Sequence, residues 1–306
     1  MSKTILIIGG GVVGKATGKG LIAKDHNVIF VDNNPKVVND MKTHGYNACN
    51  MDEYPDKQGD ITMICVSTPT NPEGNIDYSS INNTSINIGK WLKINNNNSY
   101  HLVTVRSTIP PFTTRNMILP LIEKHSQLKA GVDFGITMQP EFLRAISSEN
   151  DFLNPWVTVI GEYDSKSGDI LYNIYKDFGD KIYRTDLETA EFMKYIHNCF
   201  NATKISFSNE MWLLGQQLGL DTNIALNLAT ESAEGYWNPI YGTKGGKSYG
   251  GACLPKDVKG LISFTKNFNF SLNLLNAVDQ VNEDMKLVTD SKNITAKNEN
   301  LQKSMI

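Results

Sequence analysis

Apolar positions in the first 185 residues come in short β-branched runs separated by amphipathic stretches, the pattern of strands alternating with helices. Thr4 to Ile8 reads as a strand that breaks into Gly9-Gly10-Gly11-Val12-Val13-Gly14, after which residues 12–24 read as a helix. Further strands are predicted at Asn27 to Val31, Asp60 to Val66, Tyr100 to Val105, Asp133 to Thr137, Val157 to Ile160 and Lys181 to Tyr183, with helices near 35–44, 78–91 and 165–178. Such alternation implies a parallel sheet covered by helices on both faces. The period changes at Asp186. From there to about Leu218, Leu187, Ala190, Met193, Ile196 and Phe200 recur at threes and fours, and helices follow near 221–232, 256–267 and 271–292. The predicted fold is therefore α/β: a Rossmann-type doubly wound parallel sheet over residues 1–185, then an all-helical domain, 186–306, built on one long helix. Asn71-Pro72-Glu73-Gly74 and Asn95 to Asn98 read as polar turns, and the polar tail from Asn293 to Ile306 as a frayed end.

Composition narrows the class without changing this picture. A chain of 306 residues, 40% hydrophobic and 20% charged, has length for two cores, and its net charge of -3 gives no pull toward nucleic acid or an anionic membrane. The amino terminus carries no signal-peptide pattern and no apolar run has membrane-spanning length, so a cytoplasmic protein is expected. Cys49, Cys65, Cys199 and Cys253 stand far apart, which predicts reduced thiols rather than disulfides or a zinc site. The five histidines show no ligand spacing, and no metal is expected.

The candidate chemistry gathers at a few places. Gly9, Gly11 and Gly14 fill the three positions of the dinucleotide fingerprint, which would set a pyrophosphate on the backbone of Val12 and Val13 at the helix start. Asp32 ends the second strand 18 residues beyond Gly14, where a carboxylate accepts hydrogen bonds from ribose hydroxyls and repels a 2′-phosphate, so NAD is expected over NADP. Thr68, in Ser67-Thr68-Pro69-Thr70, and Ser107 and Thr108, in Arg106-Ser107-Thr108-Ile109-Pro110-Pro111, follow strand ends on the ligand side of such a sheet; ordinary turn chemistry accounts for them equally well. Glu141, in Gln139-Pro140-Glu141-Phe142-Leu143-Arg144, also leaves a strand end and can move protons there. Lys194 and Asn198 share a helix face and would present a cation and an amide to an oxyanion, or else form a solvated polar stripe. Cys253, in Gly250-Gly251-Ala252-Cys253-Leu254-Pro255-Lys256-Asp257, stands between glycines and a helix start. The helix start and Lys256 favour a thiolate, Asp257 shares its side of the turn, and an inert cysteine beside a helix cap is the competing reading.

Five of these motifs, in order, resemble the UDP-glucose and GDP-mannose 6-dehydrogenases, which oxidise a nucleotide sugar's C6 alcohol to a carboxylate with two NAD. Gly9 to Gly14 match the family's G-x-G-Y-V-G, Ser107 to Pro111 its S-T-x-P-P, and Pro140 to Arg144 its P-E-F-L-R. Ala190, Glu191, Lys194 and Asn198 match A-E-x-x-K-x-x-x-N, and Gly250 to Asp257 match G-G-x-C-x-x-K-D. The resemblance implies Cys253 as nucleophile, Glu141 as acid/base for thioester hydrolysis, Lys194 with Asn198 as oxyanion stabilisers, and Asp257 and Thr108 as aids to proton transfer through water. It implies UDP-glucose as donor and a homodimer cored by the long helix near 186–218. Ala145 stands where family members commonly carry a second glutamate, Val12 replaces the fingerprint tyrosine, and the sequence reaches Ile306 without the family's third, UDP-binding domain.

The chemistry runs the same way from the residues. An alcohol dehydrogenase stops at the aldehyde, whereas a thiolate that captures the aldehyde permits a second hydride loss and a thioester that water opens to an acid. Two other readings remain at this point: a catalytically impaired, truncated NAD-binding remnant acting with a partner, and an ordinary reductase of a small hydroxy acid that needs no cysteine. A helix of about thirty residues extends about 45 Å, longer than a small domain is wide, which favours a dimer through Phe200, Phe207, Met211 and Trp212 over a core helix packed under 221–292.

Overall fold

A computed structural model describes residues 2–95, 100–179 and 181–303. They divide into two compact units, Met1–Asn198 and Cys199–Ile306.

The first unit is an eight-stranded sheet in the order β3-β2-β1-β4-β5-β6-β7-β8. Its first six strands are β1 (Thr4–Ile8), β2 (Asn27–Asp32), β3 (Ala48–Asn50), β4 (Ile61–Ile64), β5 (His101–Val105) and β6 (Phe134–Met138). All six run parallel, in the doubly wound arrangement. The helices between them are α1 (Val12–Ile22), α2 (Pro35–Thr43), α3 (Ser79–Asn95) and α4 (Leu119–Ser126). β1 shows why the runs are apolar at every position: Ile5 and Ile7 pack into the layer with Leu21, Phe30 and Leu171, while Leu6 and Ile8 pack into the other with Ile88, Trp91 and Ile122. Each such side chain, removed from water on one face or the other, contributes about 1.5–3 kcal/mol.

One joint departs from the expected parallel sheet. β7 (Thr158–Glu162) runs antiparallel to β6, with Thr137 opposite Glu162, and β8 (Ile182–Asp186) runs parallel to β7. A parallel neighbour needs a crossover, but the chain after β6 contains only the short α5 (Ser148–Leu153), whose Phe152 ring fills the space beside Gly20 of α1. The chain therefore returns along the same edge of the sheet instead of crossing it. α6 (Ser165–Tyr175) joins β7 to β8.

Asp186 starts the long helix α7 (Leu187–Leu218): its carboxylate accepts from the Thr189 amide at 2.7 Å and the Thr189 hydroxyl at 2.9 Å. Gly219, at φ +67°, ends it. In the second unit α8 (Thr222–Ser232), α9 (Glu234–Trp237), α10 (Leu254–Lys266) and α11 (Asn273–Lys303) follow. Here Leu214 of α7 packs with Leu272 and Leu275 around a small core that also takes up Phe207 and Met211. Of the four large residues expected to seek a partner, those two are thus covered within the chain, while Phe200 and Trp212 are exposed. The fraying expected from Asn293 is corrected: α11 continues to Lys303, because 293–303 contains neither proline nor glycine and is rich in helix formers. Asn95 ends α3, and the rest of the turn expected at Asn95 to Asn98 lies outside the described residues, as does the tail beyond Lys303. Among the described residues no helix is long and apolar enough to cross a membrane, and no three His, Cys, Asp or Glu side chains stand together as a metal would need.

Candidate functional site

A cleft of about 1080 Å³ opens along the carboxyl ends of β1, β2, β4 and β5. Gly9, Gly11, Val12, Val13, Asp32, Thr68, Ser107, Thr108 and Glu141 all line it. Its glycines meet distinct demands. Gly9 sits at φ +105°, and a Cβ there would lie 2.6 Å from the Cys65 carbonyl oxygen. A Cβ on Gly14 would lie 1.9 Å from the Gly9 carbonyl oxygen, so only glycine lets α1 start this close to β1. Gly11 faces open space, caps α1 without a side-chain bond, and no acid occupies the first turn. The helix start thus leaves backbone donors and the positive end of its dipole toward the cleft, which suits a pyrophosphate.

Asp32 ties this end together. One carboxylate oxygen accepts from the Gly10 amide at 2.6 Å and the other from the Asn34 amide at 2.8 Å. Lone pairs remain for ribose hydroxyls. At the other end, the hydroxyl-rich loops hold each other: Thr68 Oγ1 donates to the Thr108 carbonyl at 2.7 Å and Ser107 Oγ to the Val66 carbonyl at 2.6 Å. These hydroxyls bridge two loops instead of closing local turns, and their residues line the cleft. The fit to a dinucleotide holds from the glycine turn to the ends of β4 and β5.

Glu141 closes the cleft against α7. Lys194 Nζ donates to its carboxylate at 3.0 Å and to its backbone carbonyl at 2.5 Å, and the second carboxylate oxygen accepts from the Leu143 amide at 2.7 Å. The Phe142 ring centre lies 5.5 Å from Lys194 Nζ and 4.9 Å from the His197 ring centre. Burial lowers the pKa of His197, with the Lys194 charge as a smaller contribution. Asn198, one turn beyond Lys194, is exposed.

Two buried groups given no role from the sequence belong to this region. Arg106 is 2% exposed, donates to the Tyr175 hydroxyl at 2.9 Å, and lines both the cleft and a cavity of about 30 Å³ behind Glu141. Glu191, fully buried, accepts from the Thr114 amide at 2.7 Å. A sequence signal existed for each, an arginine inside an apolar strand end and a glutamate beside Leu187 and Ala190 on the buried stripe. Cys65 also lines the cleft, but burial pushes its thiol up to about 11, which leaves little thiolate at neutral pH.

Cys253 and Asp257 belong to the second unit. Cys253 is exposed and occupies the N-cap of α10, and its carbonyl accepts the Asp257 amide at 2.8 Å. Pro255 lies in the first turn, where its missing N–H costs nothing. Gly242, Gly246 and Gly251 take left-handed conformations at φ +71°, +89° and +82°, and no atom stands within 4 Å of the place a Cβ would occupy on Gly245 or Gly250. Lys256 pairs with Asp257 at 3.1 Å on the surface.

Comparison with known proteins matches residues 46–179 to the NAD binding domain of the UDP-glucose/GDP-mannose dehydrogenase family and 188–284 to its central domain. A GDP-mannose 6-dehydrogenase of Pseudomonas syringae pv. tomato is 36% identical over 223 residues, 73% of this chain and 50% of that one. A UDP-glucose 6-dehydrogenase of Rickettsia bellii is 31% identical over 97% of this chain and 71% of that one. Among solved structures, a ternary complex of GDP-mannose dehydrogenase from Pseudomonas aeruginosa matches with a TM-score of 0.85 at 31% identity, covering 92% of this chain and 68% of that one. The chain spans about half the length of the GDP-mannose 6-dehydrogenases it matches.

Proposed function

The chain belongs to the UDP-glucose/GDP-mannose dehydrogenase family, whose NAD binding domain it carries, and from that premise we propose that it oxidises the C6 alcohol of a nucleotide sugar to a carboxylate. The observation that carries this reading is the Lys194–Glu141 pair, whose carboxylate member lines the cleft that the glycine turn begins. NAD, when bound, supplies the hydride acceptor. Gly9, Gly11 and the start of α1 hold its pyrophosphate, Asp32 its ribose, and the loops of Thr68, Ser107 and Thr108 line the remainder of its site.

Oxidation to an acid needs a nucleophile between the two hydride losses. The Cys253 sulfur adds to the aldehyde carbon, a C–S bond forms, and the former carbonyl oxygen takes a proton, giving a thiohemiacetal. Loss of the second hydride and that proton leaves a thioester. Glu141 then takes a proton from water, whose oxygen attacks the thioester carbon; the C–S bond breaks and the thiol is regenerated. Two of the three Lys194 donors go to Glu141, which leaves one to join the Asn198 amide on the oxyanion. Asp257 and Thr108 pass protons through water. The four free thiols agree with a reducing, cytoplasmic setting.

The motifs point to UDP-glucose as donor, while relatives at 36% identity carry the GDP-mannose name, so both donors belong in the test. With the preferred donor and NAD, two NADH form per sugar. In Cys253→Ser, acid formation stops and NAD binding, measured by calorimetry, is unchanged. Normal acid formation by the Ser variant removes the thioester route. NAD binding without turnover of either donor by the unmodified chain would leave a binding protein in place of the enzyme.

A further inference from the structure

We propose that Glu191 is a positioning residue that ties the loop carrying Ser107 and Thr108 to α7 and thereby holds Lys194 against Glu141. Glu191 is completely buried, and its Oε1 accepts the Thr114 amide at 2.7 Å. Thr114 opens the π-type turn Thr114–Ile118 that leads from the loop into α4. Just before it, Phe112 sits at φ +71°, a left-handed conformation that a residue with a side chain keeps only where its surroundings enforce it. Burial raises the pKa of Glu191, while Thr114 and, to a smaller extent, the Phe112 amide favour its charged form.

A second acid reinforces the hold. Glu188, on the same face of α7, pairs with Arg115, the residue after Thr114. On the loop's near side the Thr108 carbonyl accepts from Thr68. The chain from Thr108 to Thr114 is thus held at both ends, by Thr68 and by Glu191, and Lys194 follows three residues later on the same side of α7, bound to Glu141.

Stability alone does not account for this carboxyl. Its Oε2 makes no hydrogen bond and burial pushes its pKa up, so the bond to the buried Thr114 amide is held by a longer and more polar side chain than that one bond requires. A residue that breaks the packing rule beside a reactive pair fits a placement role.

The inference rests on Lys194 and Glu141 belonging to the reaction site, and its test is read without substrate. The full chain is acetylated with acetic anhydride, and modification of Lys194 is followed by peptide mass spectrometry against exposed Lys256. Glu191→Met fills the space without an acceptor and should raise Lys194 modification by about fivefold or more, while Glu191→Gln keeps an acceptor for Thr114 and should stay within about twofold of the original chain. Unchanged Lys194 modification in a folded Met variant overturns the proposal, and so does an equal rise at every lysine. Should Glu191→Met fail to fold, Glu191→Asp, one methylene short of Thr114, should raise Lys194 modification selectively, and no rise there overturns it as well. A chain that turns over no nucleotide sugar sinks the functional reading and leaves the labelling result intact.

Discussion

Lys194 binds Glu141 twice, through the carboxylate at 3.0 Å and through the same residue's backbone carbonyl at 2.5 Å. The ammonium therefore fixes the side chain and the local backbone together, in a place where the two side chains are only 7% and 12% exposed. Removing one partner of such a pair strands the other's charge away from water. Lys194→Met should lower stability by about 3 kcal/mol, and adding Glu141→Gln to it should recover most of the loss. Urea unfolding of the single and double variants measures this. A double variant no more stable than Lys194→Met would mean that the stranded charge is not the cause.

Asp32 combines two duties that a cofactor experiment separates. Its carboxylate holds the Gly10 and Asn34 amides and lines the cleft, and in the proposed reading its charge would repel a 2′-phosphate. The unmodified chain should bind NAD at least about tenfold more tightly than NADP, and Asp32→Ala should narrow that gap while weakening NAD itself. Calorimetry with both cofactors decides it. Equal affinities in the unmodified chain would remove the specificity argument.

His101 predicts an acid-sensitive fold. The ring is 4% exposed, lies 4.6 Å from the Trp91 ring, and places Nδ1 3.0 Å from the Gly59 carbonyl and Nε2 2.9 Å from Thr62 Oγ1. A carbonyl only accepts, so Nδ1 carries the proton and the neutral ring accepts from Thr62 at Nε2. Burial lowers its pKa from 6.5 to about 4. The folded chain then binds fewer protons at this ring than the unfolded one, so its stability is full above pH 6.5 and falls as pH drops toward 4, by on the order of 3 kcal/mol. His101→Gln should flatten that part of the slope in urea unfolding at a series of pH values. An identical slope in both proteins would rule the ring out.

What the sequence disclosed follows from range. The glycine turn, β1, β2 and Asp32 were legible because a strand, a left-handed glycine and a helix start are specified within a few neighbouring residues. The recurrence of Leu187, Ala190, Met193, Ile196 and Phe200 at threes and fours made α7 readable as well. β3, with three residues, and α5, with six, are too short to show a period, and the antiparallel pairing of β7 with β6 joins residues about 25 apart that no local period reports. The same limit hid Glu191. Its place in a motif was visible, but its partner Thr114 is 77 residues away and becomes a neighbour only once β5 and α7 have folded together.

The exposed apolar residues of α7 lead to the last prediction, a homodimer. Phe192, Ile196, Phe200, Ile205, Trp212 and Leu213 are each between 45% and 63% exposed along this one helix, far more apolar surface than a helix ordinarily leaves in water. Phe207 and Met211 already pack within the chain, so the surface that needs a partner is narrower than the apolar pattern alone suggests, and it centres on Phe200 and Trp212. Aromatic residues of this size anchor interfaces and lose most when truncated. Light scattering at micromolar concentration should give twice the chain mass, and Phe200→Asp with Trp212→Ser should shift it toward the single-chain mass with the far-ultraviolet helix signal retained. A single-chain mass that persists as the unmodified protein is concentrated would eliminate the dimer and leave the exposed apolar residues of α7 to a different partner.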